Sequence, residues 1–294
     1  MVDPHQQGRK KDSADLALAY YDFFPTLSSP PHNIAVYAFD QRGWGRSVNK
    51  PTEKGNTGPT SLVIADIHDF VLHVASLPEA KGRPLFLMGH SMGGNESLYY
   101  LLSDPAAFSN RPPIAGLLLE APYIELDPSE QPSFLKVFAG KLAAFLLPTT
   151  QLKQKLDSTY LSHAAKVRED WVNDPLCHDT GTLEGLKGLL QRAGDLSSMS
   201  HGHQIAGLHP TLPCPVWLGH GTSDRVVSAS AAKRLFDVLA APEGDKVYQA
   251  YPDAYHKLHA EPDGVGQKFT NDVAGWILSH ANQKTAEIPV SVKQ

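Results

Sequence analysis

Short apolar runs alternate with helix-like segments along most of this chain, and this alternation predicts its fold class. Residues 61–77 repeat apolar positions at helical spacing, whereas the runs around them are short and nearly continuous, as in strands buried on both faces. The predicted strands cover residues 34–39, 85–88, 114–119, 215–221 and 246–251. Strands that alternate with helices indicate an α/β fold, with a mostly parallel central sheet flanked by helices.

The alternation breaks between about residues 121 and 206, where helical patterns dominate and strand patterns are few. We interpret this stretch as a helical cap inserted into the core, which divides the chain into core residues 14–120, cap residues 121–206 and core residues 207–280. Residues 134–147 within the cap are a strongly apolar helix with two lysines, typical of either a packed cap helix or a lipid-binding one. Both ends, residues 1–13 and 281–294, are expected to be disordered.

Candidate chemistry begins at Ser91, within the sequence Gly-His-Ser-Met-Gly of residues 89–93. This G-x-S-x-G pattern lies between a predicted strand and a predicted helix, the context in which a sharp turn exposes a nucleophilic serine. The backbone amide of Met92, at the start of that helix, would then point at the oxygen of a bound carbonyl. The alternative is an ordinary glycine-rich turn.

A nucleophilic serine needs a base, and the base needs an acid that orients it. Asp224 follows the strand at 215–221, and His256 follows the strand at 246–251, so serine, acid and histidine occur in the order typical of this arrangement. Asp195 and Asp253 are competing acids, and Asp224 could instead cap the helix that begins near residue 229. His259 is the competing base.

Composition and charge limit the partners, the compartment and the cofactors that we expect for this chain. Net charge is −5 and charged residues make up 19% of the chain, so we expect no nucleic-acid partner. The two cysteines imply no disulfide framework, and a reducing compartment is expected. The polar N-terminus has no signal core, and no segment is apolar enough to cross a bilayer. The His-x-His of His201 and His203 lacks supporting carboxylates or cysteines, so we expect neither a metal nor another cofactor.

Taken together, five motifs resemble the monoglyceride lipase branch of the α/β-hydrolase superfamily, whose domain is often described as a serine aminopeptidase or lysophospholipase type. The motifs occupy residues 39–47, 89–94, 169–176, 219–227 and 254–259. The resemblance implies an α/β-hydrolase fold and a serine ester hydrolase that acts on monoacylglycerol through Ser91, Asp224 and His256. It also implies that Met92 supplies half of the oxyanion hole, and that Trp171 and His259 line the alcohol site.

Other specificities stay open: a short-chain ester, a lysophospholipid or a peptide amide. We expect a cytoplasmic protein whose partners are a lipid or small ester and which contacts membranes or lipid droplets peripherally through the cap. The chain departs from the branch before residue 34, where the first strands and the His-Gly-x-Gly turn that supplies the second oxyanion amide have no match. Residues 15–24 resemble the helix that follows that turn. The fold is therefore expected to be N-terminally truncated, and a catalytically impaired homologue is the alternative of another class.

Overall fold

A computed structural model of the chain describes residues 20–129, 143–153 and 155–286. The predicted disorder of residues 1–13 and 287–294 lies outside the described residues, as do residues 15–19 of the predicted helix at 15–24 and residues 134–142 of the predicted helix at 134–147.

The described residues form six strands, of which four make the central sheet. In chain order the strands are β1 (Leu85–His90), β2 (Ile114–Glu120), β3 (Gln151–Lys153), β4 (Thr180–Thr182), β5 (Val216–Gly221) and β6 (Lys246–Tyr251). The sheet is parallel throughout in the order β1-β2-β5-β6, whereas β3 and β4 pair antiparallel with each other. Parallel pairing brings the carboxyl ends of the four strands to one edge, where the candidate residues lie.

Seven longer helices accompany these strands. They are α1 (Phe23–Ser28), α2 (Thr60–Ser76), α3 (Met92–Leu102), α4 (Ala165–Asn173), α5 (Leu183–Ser200), α6 (Ala229–Val238) and α7 (Val265–Ala286).

Both faces of the sheet are covered, as the apolar strands predict. In β2, Leu117 and Leu119 join a core with α2, α3 and α6, whereas Leu118 points to the other face and packs with α1 and α7. Successive residues of a strand face opposite sides of a sheet, so a strand buried on both sides must be apolar at every position. The α/β architecture expected from the sequence, a parallel sheet covered by helices on both faces, is therefore confirmed.

The predicted strand at residues 34–39 is not one of the strands of the sheet. Within the described part of the chain this segment joins no ladder, and the amide of Ile34 donates instead to the carbonyl of Leu27 at 2.8 Å. Ile34 and Val36 pack partly against the core of α1 and α7, while Tyr37 is exposed. The apolar pattern identified a segment that packs on the core, but a strand also needs a hydrogen-bonded neighbour, and β1 pairs only with β2 among the described strands.

The predicted helix at 15–24 also needed correction. Among its described residues it is interrupted at Tyr21, whose φ of 48° no right-handed helix can continue, and α1 begins only at Phe23. At the other end, α7 runs to residue 286, past the predicted boundary at 280. The predicted disorder of residues 281–294 stays a prediction.

Between β2 and β5 the described chain holds α4, α5 and the small antiparallel pair of β3 and β4. A buried ion pair fixes this region to the core: Arg192 on α5 donates to Glu96 on α3 at 2.9 Å, with the two side chains 3% and 1% exposed. Arg192 also donates to Asn95 and Thr60, each at 3.3 Å. The pair therefore connects α5 to the helix that begins directly after Ser91. The predicted cap boundaries at 121 and 206 stay a proposal.

Candidate active site

Ser91 occupies the turn between β1 and α3, with φ 53° and ψ −117°. This left-handed backbone is strained for a residue other than glycine and costs on the order of 1–3 kcal/mol. Contacts on both sides hold it: its amide donates to the Glu120 carbonyl at 3.0 Å, and its carbonyl accepts from the Tyr123 amide at 2.9 Å. Gly89 is required because a Cβ there would overlap the carbonyl of Gly93. The structure thus has the strained serine turn that the motif predicts, with Ser91 partly buried.

Met92 is the first residue of α3. The first amides of a helix have no acceptor within the helix, and the helix dipole adds partial positive charge at this end. An oxyanion formed at Ser91 would find this amide beside it, as the sequence predicts.

Asp224 lies in the turn after β5 and is 7% exposed. Its Oδ1 accepts from the amides of Val226 and Val227 at 2.8 and 3.1 Å, which leaves Oδ2 for the Nδ1 of His256 at 2.8 Å. Burial by itself raises the pKa of Asp224, but the imidazoles of His256 and His220 outweigh burial and hold that pKa well below its usual range. Ser228, rather than Asp224, caps α6, because its hydroxyl accepts from the Ala231 amide at the start of that helix.

His256 follows β6 and is 2% exposed. Its backbone amide donates to the carbonyl of Tyr160, and its ring centroid lies 4.7 Å from that of His90, the neighbour of Ser91. In the described structure no hydrogen bond joins His256 to Ser91. Such contacts are often long before substrate binds and tighten later.

The competing acid and base have other partners. Asp195 accepts a hydrogen bond from the hydroxyl of Tyr99 at 3.0 Å, away from the histidines. Asp253 lies in a tight turn with φ 57°, where its amide donates to Thr222. The Nδ1 of His259 faces Glu120 rather than Asp224. The structure therefore joins Asp224 and His256 and separates their competitors from them.

Sequence reasoning missed a second histidine beside the acid. His220, the fifth residue of β5, is fully buried, and its Nε2 lies 3.2 Å from Asp224 Oδ2. Within the described residues neither ring nitrogen makes a well-aligned hydrogen bond, so we treat the contact as electrostatic. The i, i+4 spacing of His220 and Asp224 across the end of a strand was the signal available in the sequence.

A second missed group surrounds Glu120, the last residue of β2, which is fully buried. Its carboxylate accepts from the amide and the Nδ1 of His259 at 3.1 and 2.8 Å, and lies 3.5 Å from the Nδ1 of His90. Burial raises the pKa of Glu120, but His259 and His90 outweigh burial and lower it to about 2. Burial lowers the pKa of His90 well below its usual value. A charged residue that ends an otherwise apolar strand was the signal that could have identified this group.

Three possible metal-ligand atoms, one each from His90, Glu120 and His259, lie close enough together to hold a metal ion. We assign them none, because the Nδ1 of His259 and the Glu120 oxygen already lie at hydrogen-bond distance and satisfy each other. His201 and His203, the His-x-His of the sequence, are both exposed.

Trp171, on α4, lies against the loop that carries the histidines. The Nζ of Lys257 is 5.5 Å from the Trp171 ring and 5.6 Å from the Tyr21 ring. Burial lowers the pKa of Lys257. His259 instead stacks on Tyr20, with ring centroids 4.9 Å apart, and is buried. Trp171 thus lies beside residues 256–259, and His259 is one of those residues. Within the described residues, no ring contact joins Trp171 to His259.

Comparison with known proteins places the chain in a family. The model of the serine aminopeptidase S33 family matches residues 16–263. A Schizosaccharomyces pombe protein provisionally named monoglyceride lipase is 34% identical over 264 residues, which cover 90% of this chain and 64% of that protein. The chain therefore spans slightly less than two thirds of that relative. Monoglyceride lipase of Rattus norvegicus is 30% identical over 254 residues, which cover 83% of this chain and 73% of that protein.

Two solved structures confirm the α/β-hydrolase fold that is expected from the sequence. A soluble variant of Saccharomyces cerevisiae monoglyceride lipase, in complex with a substrate analogue, superposes with a TM-score of 0.76 at 25% identity, covering 90% of this chain and 82% of that one. Monoacylglycerol lipase of Paleococcus ferrophilus, with a TM-score of 0.71 at 24% identity and 89% of each chain covered, shares the fold. No described helix is both long and apolar enough to cross a membrane.

At the level of the family, these findings confirm the expected enzyme class, a serine carboxylic ester hydrolase. The fold, the serine turn and the relatives agree, and the chain belongs to the serine aminopeptidase S33 family of α/β-hydrolases, among relatives named monoglyceride lipases.

Proposed function

We propose that this chain hydrolyses monoacylglycerols by nucleophilic catalysis, with Ser91 as nucleophile, His256 as base and Asp224 as the orienting acid. One observation carries the proposal. Asp224 and His256 form a buried pair at 2.8 Å at the same end of the sheet as the strained turn of Ser91. Two backbone amides fix Asp224 so that its free oxygen faces the imidazole.

The reaction follows from these groups. Oγ of Ser91 forms a bond to the ester carbonyl carbon while its proton passes to Nε2 of His256, and the oxyanion accepts from the amide of Met92. The imidazolium, stabilised by Asp224, returns the proton to the leaving alcohol, and an acyl-enzyme stays on Ser91. Water then attacks the acyl carbonyl and gives its proton to His256. The fatty acid leaves as Ser91 takes that proton back. No metal or organic cofactor takes part in these steps.

The substrate class rests on the relatives and on the region between β2 and β5. Relatives at 30% identity and above carry the monoglyceride lipase name. Trp171 lies beside Lys257, next to His256, and we propose that it lines the alcohol site together with His259. A short-chain ester, a lysophospholipid and a peptide amide are the competing substrates.

We further propose that the cap contacts a lipid surface. Residues 143–146 are helical, and Phe145, Leu146 and Leu147 are 80%, 69% and 59% exposed. Three adjacent large apolar side chains in water favour transfer to an apolar interface, each by on the order of 1.5–3 kcal/mol if fully buried. Peripheral attachment to membranes or lipid droplets would place the site next to its substrate.

A fluorophosphonate probe tests the nucleophile. We expect covalent labelling of the folded protein at Ser91, found by peptide mass spectrometry, and loss of labelling in Ser91→Ala. Ser97→Ala is the matched control, because Ser97 is a buried serine on α3, the helix that follows Ser91, and its loss is expected to leave labelling intact. Folded protein that resists the probe would support the impaired homologue instead.

The substrate proposal needs a separate measurement. We expect kcat/KM for long-chain monoacylglycerols to exceed that for acetate esters, lysophospholipids and aminoacyl amides. A profile with its maximum at acetate esters or amides would refute the lipid substrate and leave the nucleophile assignment standing.

A further inference from the structure

Glu120 contacts both the serine turn and the loop that carries His256 and His259. Its backbone carbonyl accepts from the amide of Ser91 at 3.0 Å. Its carboxylate accepts from the amide and the Nδ1 of His259, at 3.1 and 2.8 Å. His259 lies three residues after His256 and within the short helical turn Leu258–Ala260. Both segments that supply the proposed proton transfer are therefore attached to one residue, the serine turn through its backbone carbonyl and the histidine loop through its carboxylate.

From this arrangement we infer that Glu120 is a positioning residue, which holds His256 in reach of Ser91 by fixing the loop of residues 256–259 against the serine turn. The inference rests on the proposed function, because it assigns a role in the reaction of Ser91 and His256.

Burial and charge support a specific role over incidental packing. Glu120 is fully buried at the end of an otherwise apolar strand, a position that is strongly unfavourable for a charge without compensating donors. The charged or titratable groups that face it are His259 and His90, with Lys257, Tyr20 and Tyr251 within electrostatic range. Burial keeps the pKa of both tyrosines raised, so they stay neutral. Two N–H donors from one residue compensate the carboxylate, and the loop therefore has a single preferred place.

Replacement by glutamine must break this arrangement. Oε1 of Glu120 accepts from both N–H groups of His259, and Oε2 lies 2.9 Å from the same Nδ1. A glutamine with its oxygen in the Oε1 place sets its NH₂ against the Nδ1–H, and the flipped amide sets its NH₂ against both N–H groups. In either orientation two donors face each other, or His259 must change tautomer. A displacement of about 1 Å between reacting groups lowers a rate by about a hundredfold.

The test is the rate of fluorophosphonate labelling of Ser91, separated into the probe's binding constant and the maximal labelling rate. For Glu120→Gln we expect the maximal rate to fall about 10- to 100-fold while probe binding changes less than about threefold. Glu120→Asp keeps the charge and both acceptors on a shorter side chain, so we expect an intermediate loss. It also serves if the glutamine variant does not fold.

Glu96→Gln is the matched control. Glu96 is also a buried carboxylate near the serine turn, but its partners are Arg192 and Gln41 rather than the histidine loop. We expect it to lose stability while folded molecules label at nearly the wild-type maximal rate. Folded Glu120→Gln or Glu120→Asp that labels within about threefold of wild type would overturn the inference. If wild-type protein itself fails to label, the proposed function fails, which is a different outcome.

Discussion

Replacement of Asp224 by asparagine is expected to abolish nearly all activity while the fold survives. The structure determines which way the new amide points. Oδ1 accepts from the amides of Val226 and Val227 at 2.8 and 3.1 Å, so the asparagine oxygen must take that place, because an NH₂ there would face two donors. The NH₂ group is then turned toward Nδ1 of His256, 2.8 Å away in the native pair.

An NH₂ that donates to Nδ1 forces the imidazole into the tautomer with its proton on Nε2. That nitrogen faces the nucleophile in the proposed reaction and can no longer accept the proton of Ser91. The imidazolium also loses its negative neighbour. A wrong tautomer in this kind of pair lowers kcat by about 10⁴-fold, which corresponds to about 5.5 kcal/mol of transition-state stabilisation.

The assay is ester turnover by Asp224→Asn, with thermal unfolding to establish that the variant is folded. Asp195→Asn is the control. Among the described residues Asp195 accepts only from the hydroxyl of Tyr99, and asparagine can still accept there, so activity should stay within about threefold of wild type. A folded Asp224→Asn that keeps more than about one hundredth of wild-type kcat refutes the tautomer argument. An equal loss in Asp195→Asn refutes the choice of acid.

Two further predictions concern the cap. Burial raises the pKa of Glu96 despite the nearby Arg192, so the contribution of Glu96 to stability falls as the pH rises above the pKa that this carboxyl has in the unfolded chain. Arg192→Met removes the positive charge that offsets the buried carboxylate. The variant should lose about 3–5 kcal/mol of unfolding free energy in urea at pH 7, and less near pH 5. An equal loss at both pH values would mean that Glu96 is not left charged. Phe145→Asp with Leu146→Asp should reduce sedimentation with anionic vesicles by about tenfold or more and leave turnover of a soluble ester unchanged, whereas Val238→Asp on α6, 44% exposed, should change neither. Vesicle binding that survives the double change would refute the membrane proposal.

Local rules account for most of what the sequence predicted. Periodicity predicted four of the five strands and the helix α2. The serine turn depends on glycine at positions such as Gly89, where residues nearby in the sequence leave no room for a Cβ. The order serine, acid, histidine also follows from the chain, because each residue comes directly after a strand and parallel strands end at one edge. The same rules failed at residues 34–39, where an apolar pattern does not supply a partner strand.

Only the tertiary structure determined which groups the buried charged residues pair with, because packing brings together residues that lie far apart in the sequence. Nothing in the spacing of Glu120 and His259, 139 residues apart, shows that they share a hydrogen bond, or that Asp224 has His220 beside it as well as His256. The sequence favoured His256 over His259, three residues later, by its place after a strand. Only the structure shows which buried carboxylate each of the two meets. The order of residues determines which groups reach the carboxyl edge of the sheet, and the burial of that edge determines which of them must pair.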